Sequence, residues 1–153
     1  MNINIVKEND PLVQPIKQKD TRLYEALRKP DRINVPILEM HGFGIDGDIS
    51  VGQNLFPPIV LFRDLQLTEL AFAFRNPPTG ADAHVDIRLK KSGCSILKKY
   101  LIFPDGFTDT VWRHEFGINT FKHGDVLLCD VLQIGSSTPG SYPSITMSFN
   151  TLA

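Results

Sequence analysis

Apolar and polar residues alternate most regularly over residues 82–90. Three aliphatic side chains fall on one face of an extended chain, and polar side chains fall on the other; the three are Val85, Ile87 and Leu89. A period of two residues is typical of a strand with one buried and one exposed face. The Ser92-Gly93 pair that follows predicts a β-hairpin whose second strand covers residues 94–102.

Further extended segments follow at spacings of roughly ten residues, separated by glycine and proline turns. They cover residues 45–51, 66–75, 112–116, 125–134 and 144–151. Short strands at such spacing are typical of two packed antiparallel sheets. The sequence therefore predicts an all-β domain, a jelly-roll-like antiparallel β-sandwich, over residues 41–153.

Residues 1–40 have a different pattern, since they are charged, lack sustained alternation and contain four prolines. Proline at this density keeps a chain extended and outside a sheet interior. Residues 21–29 predict one short helix, capped by Asp20 or Thr21 and ended by Pro30. We therefore expect an extended N-terminal arm, with one short helix, ahead of the sandwich.

The predicted helix carries an apolar face formed by Leu23, Tyr24 and Leu27. A helix of two to three turns is not stable alone in water, so this face requires a contact. The contact is with the chain's own domain, a sister chain or another protein. We interpret the three side chains as an anchor through which the arm binds its partner.

Two predicted strands are apolar on both faces. In the first, one face has Leu67, Ala71 and Ala73, and the other has Leu70, Phe72 and Phe74. In the second, one face has Val126, Leu128 and Leu132, and the other has Leu127, Cys129 and Val131. A sandwich strand needs only one apolar face for the core. Because no long helix is predicted to cover the second face, we expect a sister subunit to cover it.

Composition restricts the partners further. The 153 residues suffice for one domain, and the formal net charge of −1 provides no attraction to nucleic acid or to an anionic membrane. The N-terminus lacks the pattern of a signal peptide, and no apolar run approaches the roughly 18 residues of a membrane span. We expect synthesis in a cytoplasm and no binding to nucleic acid or membrane.

Catalytic and metal-binding patterns are not recognisable. Asp46-Gly47-Asp48 lacks the later acidic residue of a calcium loop, and the four histidines lack zinc-ligand spacing. Asp105 and Asp109 resemble a glycosidase pair only in being two carboxylates in one loop. Cys94 and Cys129 are interpreted as buried free thiols. We expect no catalytic residue, no metal and no cofactor.

Two turn segments are strongly specified, at residues 77–80 and 135–141, because proline fixes φ and glycine supplies positive φ. Together with neighbouring motifs they resemble a jelly-roll module of tail fibres and other surface proteins of tailed bacteriophages. The motifs, in chain order, are Phe56-Pro57-Pro58, Asn76-Pro77-Pro78-Thr79-Gly80-Ala81, Val85-Asp86-Ile87, Lys91-Ser92-Gly93-Cys94-Ser95-Ile96, Gly124-Asp125-Val126-Leu127 and Asp130-Val131-Leu132-Gln133-Ile134-Gly135-Ser136-Ser137.

The resemblance covers about residues 45–150 and excludes Trp112-Arg113-His114. It implies a virion structural module, often homotrimeric, without catalytic residues. We therefore expect a non-enzymatic bacteriophage structural protein, assembled in the host cytoplasm and displayed on the particle. It would be a tail-fibre or baseplate component or a capsid decoration protein, held to other virion proteins by its arm.

The alternative is a carbohydrate-binding or receptor-binding module for host surface glycans. Such a module requires exposed aromatic side chains on one surface, and the candidates are Trp112, Phe107 and Tyr142. A third class, a small hydrolase, is disfavoured because no nucleophile triad or acid–base pair is recognisable.

Overall fold

The computed structural model describes residues 38–152, all within one compact unit, and these residues contain nine strands and no helix. The strands are β1 (Leu38–Gly44), β2 (Ile59–Val60), β3 (Leu65–Asn76), β4 (Ala83–Leu89), β5 (Leu101–Phe103), β6 (Val111–Arg113), β7 (Thr120–Phe121), β8 (Val126–Gln133) and β9 (Ser141–Thr151). Residues 38–40, which were assigned to the arm, begin β1. The rest of the predicted arm, with its helix at 21–29 and the anchor residues Leu23, Tyr24 and Leu27, lies outside the described residues.

The strands form two antiparallel sheets. A five-stranded sheet has the order β1-β9-β3-β6, and β7 also pairs with β3. A four-stranded sheet has the order β2-β8-β4-β5. Both sheets contribute to one buried cluster: Phe72 of the first packs edge-to-face on Phe103 of the second, with ring centroids 5.4 Å apart. The described part of the chain is therefore an all-β sandwich, as predicted.

Alternation along the long strands produces this core. The even spacing of apolar side chains in β4 places Val85, Ile87 and Leu89 inside, with Ala83. In β9 the same spacing buries Ile145, Met147 and Phe149 and leaves polar side chains outside. Each such aliphatic or aromatic side chain contributes about 1.5–3 kcal/mol when it is fully buried.

A β-bulge in β3 changes which of its side chains reach the core. Leu67 pairs with Phe149 and Glu69 pairs with Ser148, so Thr68 is an extra residue in β3. The Thr68 hydroxyl donates to the Ser148 carbonyl at 3.0 Å. Because a bulge shifts the alternation by one residue, Leu65 and Leu67 are buried on the same side as Leu70 and Phe72. The expected exposed apolar face with Leu67, Ala71 and Ala73 is therefore wrong at Leu67.

The outer face of β8 is partly covered by the chain's own loop. Gly52 and Val131 exchange two backbone hydrogen bonds of 3.0 and 2.9 Å, which hold the segment before β2 beside β8. The Asn54 amide then donates to Asp130 Oδ1 at 2.9 Å. The Arg88 guanidinium donates to Asp130 and, at 3.0 Å, to Asn54 Oδ1. This three-residue network fixes loop 50–58 on the four-stranded sheet.

Four predicted strands are confirmed, one is absent, and two are much shorter than predicted. The strands expected at 66–75, 82–90, 125–134 and 144–151 are β3, β4, β8 and β9. The first strand is Leu38–Gly44 rather than residues 45–51, which form a loop with one bridge, Asp48 to Ser141. The strand expected at 112–116 is reduced to Val111–Arg113.

The hairpin return strand expected at 94–102 is also wrong, because only Leu101–Phe103 is a strand. The turn itself forms, and Leu89 and Ile87 bond to Cys94 and Ile96 through the backbone. The Ser95 hydroxyl then accepts from Leu97 N at 3.1 Å and donates to Asp86. This local turn tucks Ile96 and Leu97 into the core instead of extending the ladder.

The Arg88–Asp130 pair makes a testable contribution to stability. Burial alone would raise the pKa of Asp130, but hydrogen bonds from Arg88 and from the Asn54 amide hold that pKa below its usual range. We expect Asp130→Asn to lower the free energy of unfolding at pH 7 by about 2–3 kcal/mol, because the Arg88 charge loses its partner. Urea unfolding measures this difference.

The pH dependence follows from the lowered pKa. Asp130 stabilises the fold above its unfolded-state pKa of about 3.9, and this contribution is lost as pH falls through the folded-state value. The difference between Asp130→Asn and the parent protein should therefore shrink at pH 3. Asp109→Asn is the matched control, since that carboxylate accepts from the adjacent Thr110 amide. An equal difference at both pH values would contradict a stabilising ion pair.

Candidate functional site

The outer face of the five-stranded sheet carries only small side chains at its centre. In one row across the strands, Gly42 pairs with Thr146, which pairs with Ala71. The next row has Gly44, Ser144 and Ala73. These side chains are small, and at Gly42 even a Cβ would lie 3.2 Å from the Ile145 carbonyl oxygen. The middle of this face is therefore a flat floor.

Larger side chains stand on both sides of that floor. Leu38 and Met40 project from β1, and both are exposed. Trp112 of β6 pairs with Ala71, and 52% of its surface is exposed. Together they enclose an open groove of about 420 Å³, which we call the sheet groove; its lining residues are Leu38, Met40, Glu69, Ala71, Trp112, Thr146 and Ser148.

Polar groups lie at the base and one end of the sheet groove. Thr146 and Ser148 contribute hydroxyls from β9, and Glu69 contributes a carboxylate from β3. Glu69 Oε1 lies 3.8 Å from His114 Nδ1, just beyond β6. Because Glu69 follows the bulged residue, its carboxylate points outward beside Ala71 rather than into the core. The groove thus combines one exposed indole with hydrogen-bonding groups.

Tyr142 shares this face, but Phe107 does not. The Arg75 guanidinium lies 5.4 Å from the Tyr142 ring centroid, and Tyr142 adopts a φ of 51°. Arg75 is four residues beyond Ala71 in β3, which is roughly 13 Å along the strand. Phe107 instead packs on Phe103, with ring centroids 5.6 Å apart, and extends the core aromatic cluster. Only two of the three predicted aromatics therefore belong to one surface.

The outer face of the four-stranded sheet carries a second apolar surface. Val60 pairs with Val126, and Leu128 lies on the same face two residues further along β8. Phe62 follows Val60 by two residues and is 68% exposed. We call Val60, Phe62, Val126 and Leu128 the apolar strip. Leu132, also exposed, lies beyond the Arg88–Asp130 network.

The two loops at residues 77–80 and 135–141 are hydrogen-bonded to each other at one end of the sandwich. Thr79 and Thr138 form a backbone bridge, and their hydroxyl oxygens are 2.6 Å apart. The Gly80 amide donates to Asp105 Oδ1 at 2.8 Å. Gly80 has a φ of +85°, and a Cβ there would lie 2.7 Å from the Ser137 amide nitrogen. Glycine is therefore required for this contact.

The candidate carboxylates have local structural partners. Asp105 accepts from Gly80, and its own amide donates to Asp82 Oδ1 at 2.8 Å. Asp109 accepts from the Thr110 amide at 2.7 Å. Between residues 38 and 152, no group of three or more His, Cys, Asp or Glu side chains is placed to hold a metal ion. The same residues include no helix long and apolar enough to cross a membrane.

The cysteines differ from one another. Cys129 lies in the core on β8, where burial raises the pKa of its thiol. Cys94 is free and exposed in the turn after β4. The expectation that both thiols are buried is therefore wrong for Cys94, because the chain turns at Ser92-Gly93 before the following apolar residues enter the core.

Comparison with known proteins adds no family: no family model and no curated protein matches the sequence.

Sequence reasoning missed several residues of both surfaces. Leu38 and Met40 alternate with Glu39 and His41, which is a strand signal, but the nearby prolines led to their assignment to the arm. Val60 and Phe62 stand in an uninterrupted apolar run with Ile59 and Leu61, and only the structure shows which of the four are exposed. Four apolar residues in a row do not reveal which face of a short strand is buried.

The environments of the two cysteines predict different thiol reactivity. In native protein, we expect one thiol to react rapidly with Ellman's reagent, and Cys94→Ser should remove that phase. Cys129 should react only after unfolding, because its thiolate is disfavoured and inaccessible. Cys129→Ser serves as the reciprocal variant and should keep the rapid phase. Two rapid thiols, or none, would contradict these environments.

Proposed function

We propose that this protein is a non-enzymatic structural protein of a bacteriophage virion, displayed on the particle as an oligomeric β-sandwich with jelly-roll connectivity. Its place would be a tail fibre, a baseplate or a decorated capsid, and residues 1–37 would anchor it to other virion proteins. The observation that carries the proposal is the apolar strip.

The apolar strip supports self-assembly because Val60 and Phe62 are exposed and Val126 and Leu128 beside them are half-buried. Phe62 and Val60 stand at the edge of the four-stranded sheet, and Val126 and Leu128 extend the surface inward. A second copy that covers this strip would remove an exposed Phe and three aliphatic side chains from water. The Arg88–Asp130 network beside it is already satisfied within the chain, so covering it leaves no unpaired charge.

The virion assignment is supported by the ordered motifs between residues 56 and 137 that resemble phage surface modules. Several of these motifs form contacts that hold loops in place among the described residues. Gly80 packs against the 135–141 loop, and the Asp125 carboxylate accepts from Lys122 N at 2.9 Å and pairs with Lys91. These residues specify loops, and no catalytic role is carried over to them.

Self-assembly through the apolar strip predicts that Phe62→Asp produces a monomer, because association would bury an unpaired carboxylate. We expect the parent protein to be an oligomer, a trimer by resemblance, in light scattering after size exclusion. Trp112→Ala is the matched control, since it removes a comparably exposed aromatic from the other sheet. A monomeric parent protein at micromolar concentration, or an oligomer formed by Phe62→Asp, would contradict the proposal.

If the arm is an anchor, a protein without the arm should fold but should not be incorporated into particles. Because β1 begins at Leu38, the truncation removes residues 1–37. We expect the truncated protein to keep a cooperative thermal transition but to be missing from assembled particles analysed by mass spectrometry. Leu23→Asp with Leu27→Asp should have the same effect, whereas Leu23→Met with Leu27→Met should incorporate normally. Incorporation of the truncated protein would show that the sandwich itself holds the docking surface.

A further inference from the structure

We propose that the sheet groove binds an uncharged pyranose glycan, with Trp112 as the surface on which a sugar ring stacks. The proposal is independent of self-assembly, because the groove lies on the five-stranded sheet and the apolar strip lies on the four-stranded sheet. The glycan would be free in solution or attached to the surface of a cell.

The shape of the groove fits a chain of rings. The floor formed by Gly42, Ala71 and Thr146 is low across three neighbouring strands. Met40 of β1 bounds it on one side and Trp112 of β6 on the other, so the bounding strands lie three strand spacings apart, roughly 14 Å. A volume of about 420 Å³ is within the range of small-ligand sites.

The chemistry of the groove matches the two kinds of surface on a pyranose. One face of such a ring presents C–H groups, which pack well on the flat indole of Trp112. The ring edge presents hydroxyls, which exchange hydrogen bonds with the Thr146 and Ser148 hydroxyls and donate to the Glu69 carboxylate. Tryptophan also contributes large contact area at little cost in conformational entropy.

Charge favours an uncharged glycan over an acidic one. Among residues 38–152, the only charged side chain that lines the sheet groove is Glu69, an anion. A sialic or uronic acid there would place two carboxylates close together without a lining Lys or Arg to compensate. Arg75 lies further along the face, where it stacks on Tyr142.

Tyr142 indicates that the glycan extends beyond one ring. It stands on the same face roughly 13 Å further along the strand direction, past the small side chains of Ala73 and Ser144. A glycan that contacts both Trp112 and Tyr142 would cross this small-residue surface. Binding should therefore strengthen as an oligosaccharide is lengthened from a monosaccharide.

The test uses the single tryptophan of the chain as the probe. Full-length protein is titrated with maltohexaose, cellohexaose, mannohexaose and chitohexaose, and with sialyllactose as the charged comparison. We expect at least one neutral hexasaccharide to shift Trp112 emission to shorter wavelength in a saturable way, and its monosaccharide to bind more weakly. Isothermal titration calorimetry of that hexasaccharide with Trp112→Ala should show an affinity at least about tenfold lower.

Matched variants keep the test specific. Tyr100→Ala removes an aromatic of similar exposure that stacks on His84 of the other sheet, and should bind like the parent protein. Trp112→Phe keeps a smaller aromatic surface and should bind with intermediate affinity. Circular dichroism verifies that each variant is folded.

Four results would overturn the proposal. They are the absence of a saturable shift with every neutral hexasaccharide in the millimolar range, unchanged affinity of Trp112→Ala, tighter binding of sialyllactose than of the neutral glycans, and a blue shift produced by raising protein concentration alone. The last would identify the groove as a contact between copies. The first three results do not bear on the oligomerisation of Phe62→Asp, so the two proposals can fail separately.

Discussion

The extra residue at Thr68 determines what each side of the central strand presents. β3 pairs with β9, β6 and β7, so its orientation fixes the whole five-stranded sheet. In an unbroken strand, Leu65 and Leu67 would face away from Leu70 and Phe72, and one pair would be exposed. The bulge places all four in the core, at a cost of one unpaired position in the ladder.

The same bulge keeps Leu67 off the outer face that carries the sheet groove. Once Leu67 faces inward, the outward series of β3 becomes Glu69, Ala71, Ala73 and Arg75, which is short in its middle and charged at its ends. Trp112 can then stand above Ala71 without a bulky neighbour. On the opposite side of the sandwich, loop 50–58 covers part of β8 through Asn54 and leaves the apolar strip open. The two outer faces therefore differ in chemistry, since one has a mixed polar and aromatic groove and the other has an aliphatic strip with one Phe beside the Arg88–Asp130 network.

Much of the architecture could be predicted from the sequence, because alternation in the long strands is a local signal. β4 and β9 carry it over seven and eleven residues, and both strands were predicted. The bulge could not be predicted, since a threonine in a strand has no distinctive signature and the shift depends on pairing with Phe149 and Ser148. The short edge strands were missed for a similar reason. A two-residue segment forms a strand only because it pairs with a strand distant in sequence, as Val60 pairs with Val126.

The candidate site was predictable only in part. Trp112 and Tyr142 were chosen for residue type, and the structure places both on the five-stranded sheet, whereas Phe107 packs on the core residue Phe103 and stays 37% exposed. Residue type alone does not show which aromatic side chain packs on a core residue. The loops at 77–80 and 135–141 were predicted as specified turns, and their mutual fastening depends on long-range contacts that a local pattern does not contain.

Cysteine accessibility along β3 tests the effect of the bulge most directly. Leu67→Cys, Glu69→Cys and Ala71→Cys would each be made in Cys94→Ser protein, and reaction rates with Ellman's reagent would be measured on folded protein. The bulge predicts rapid reaction at positions 69 and 71 and, at position 67, reaction as slow as that of buried Cys129. An unbroken strand would place all three positions on one face. Equal rates at positions 67, 69 and 71 would therefore contradict the bulge.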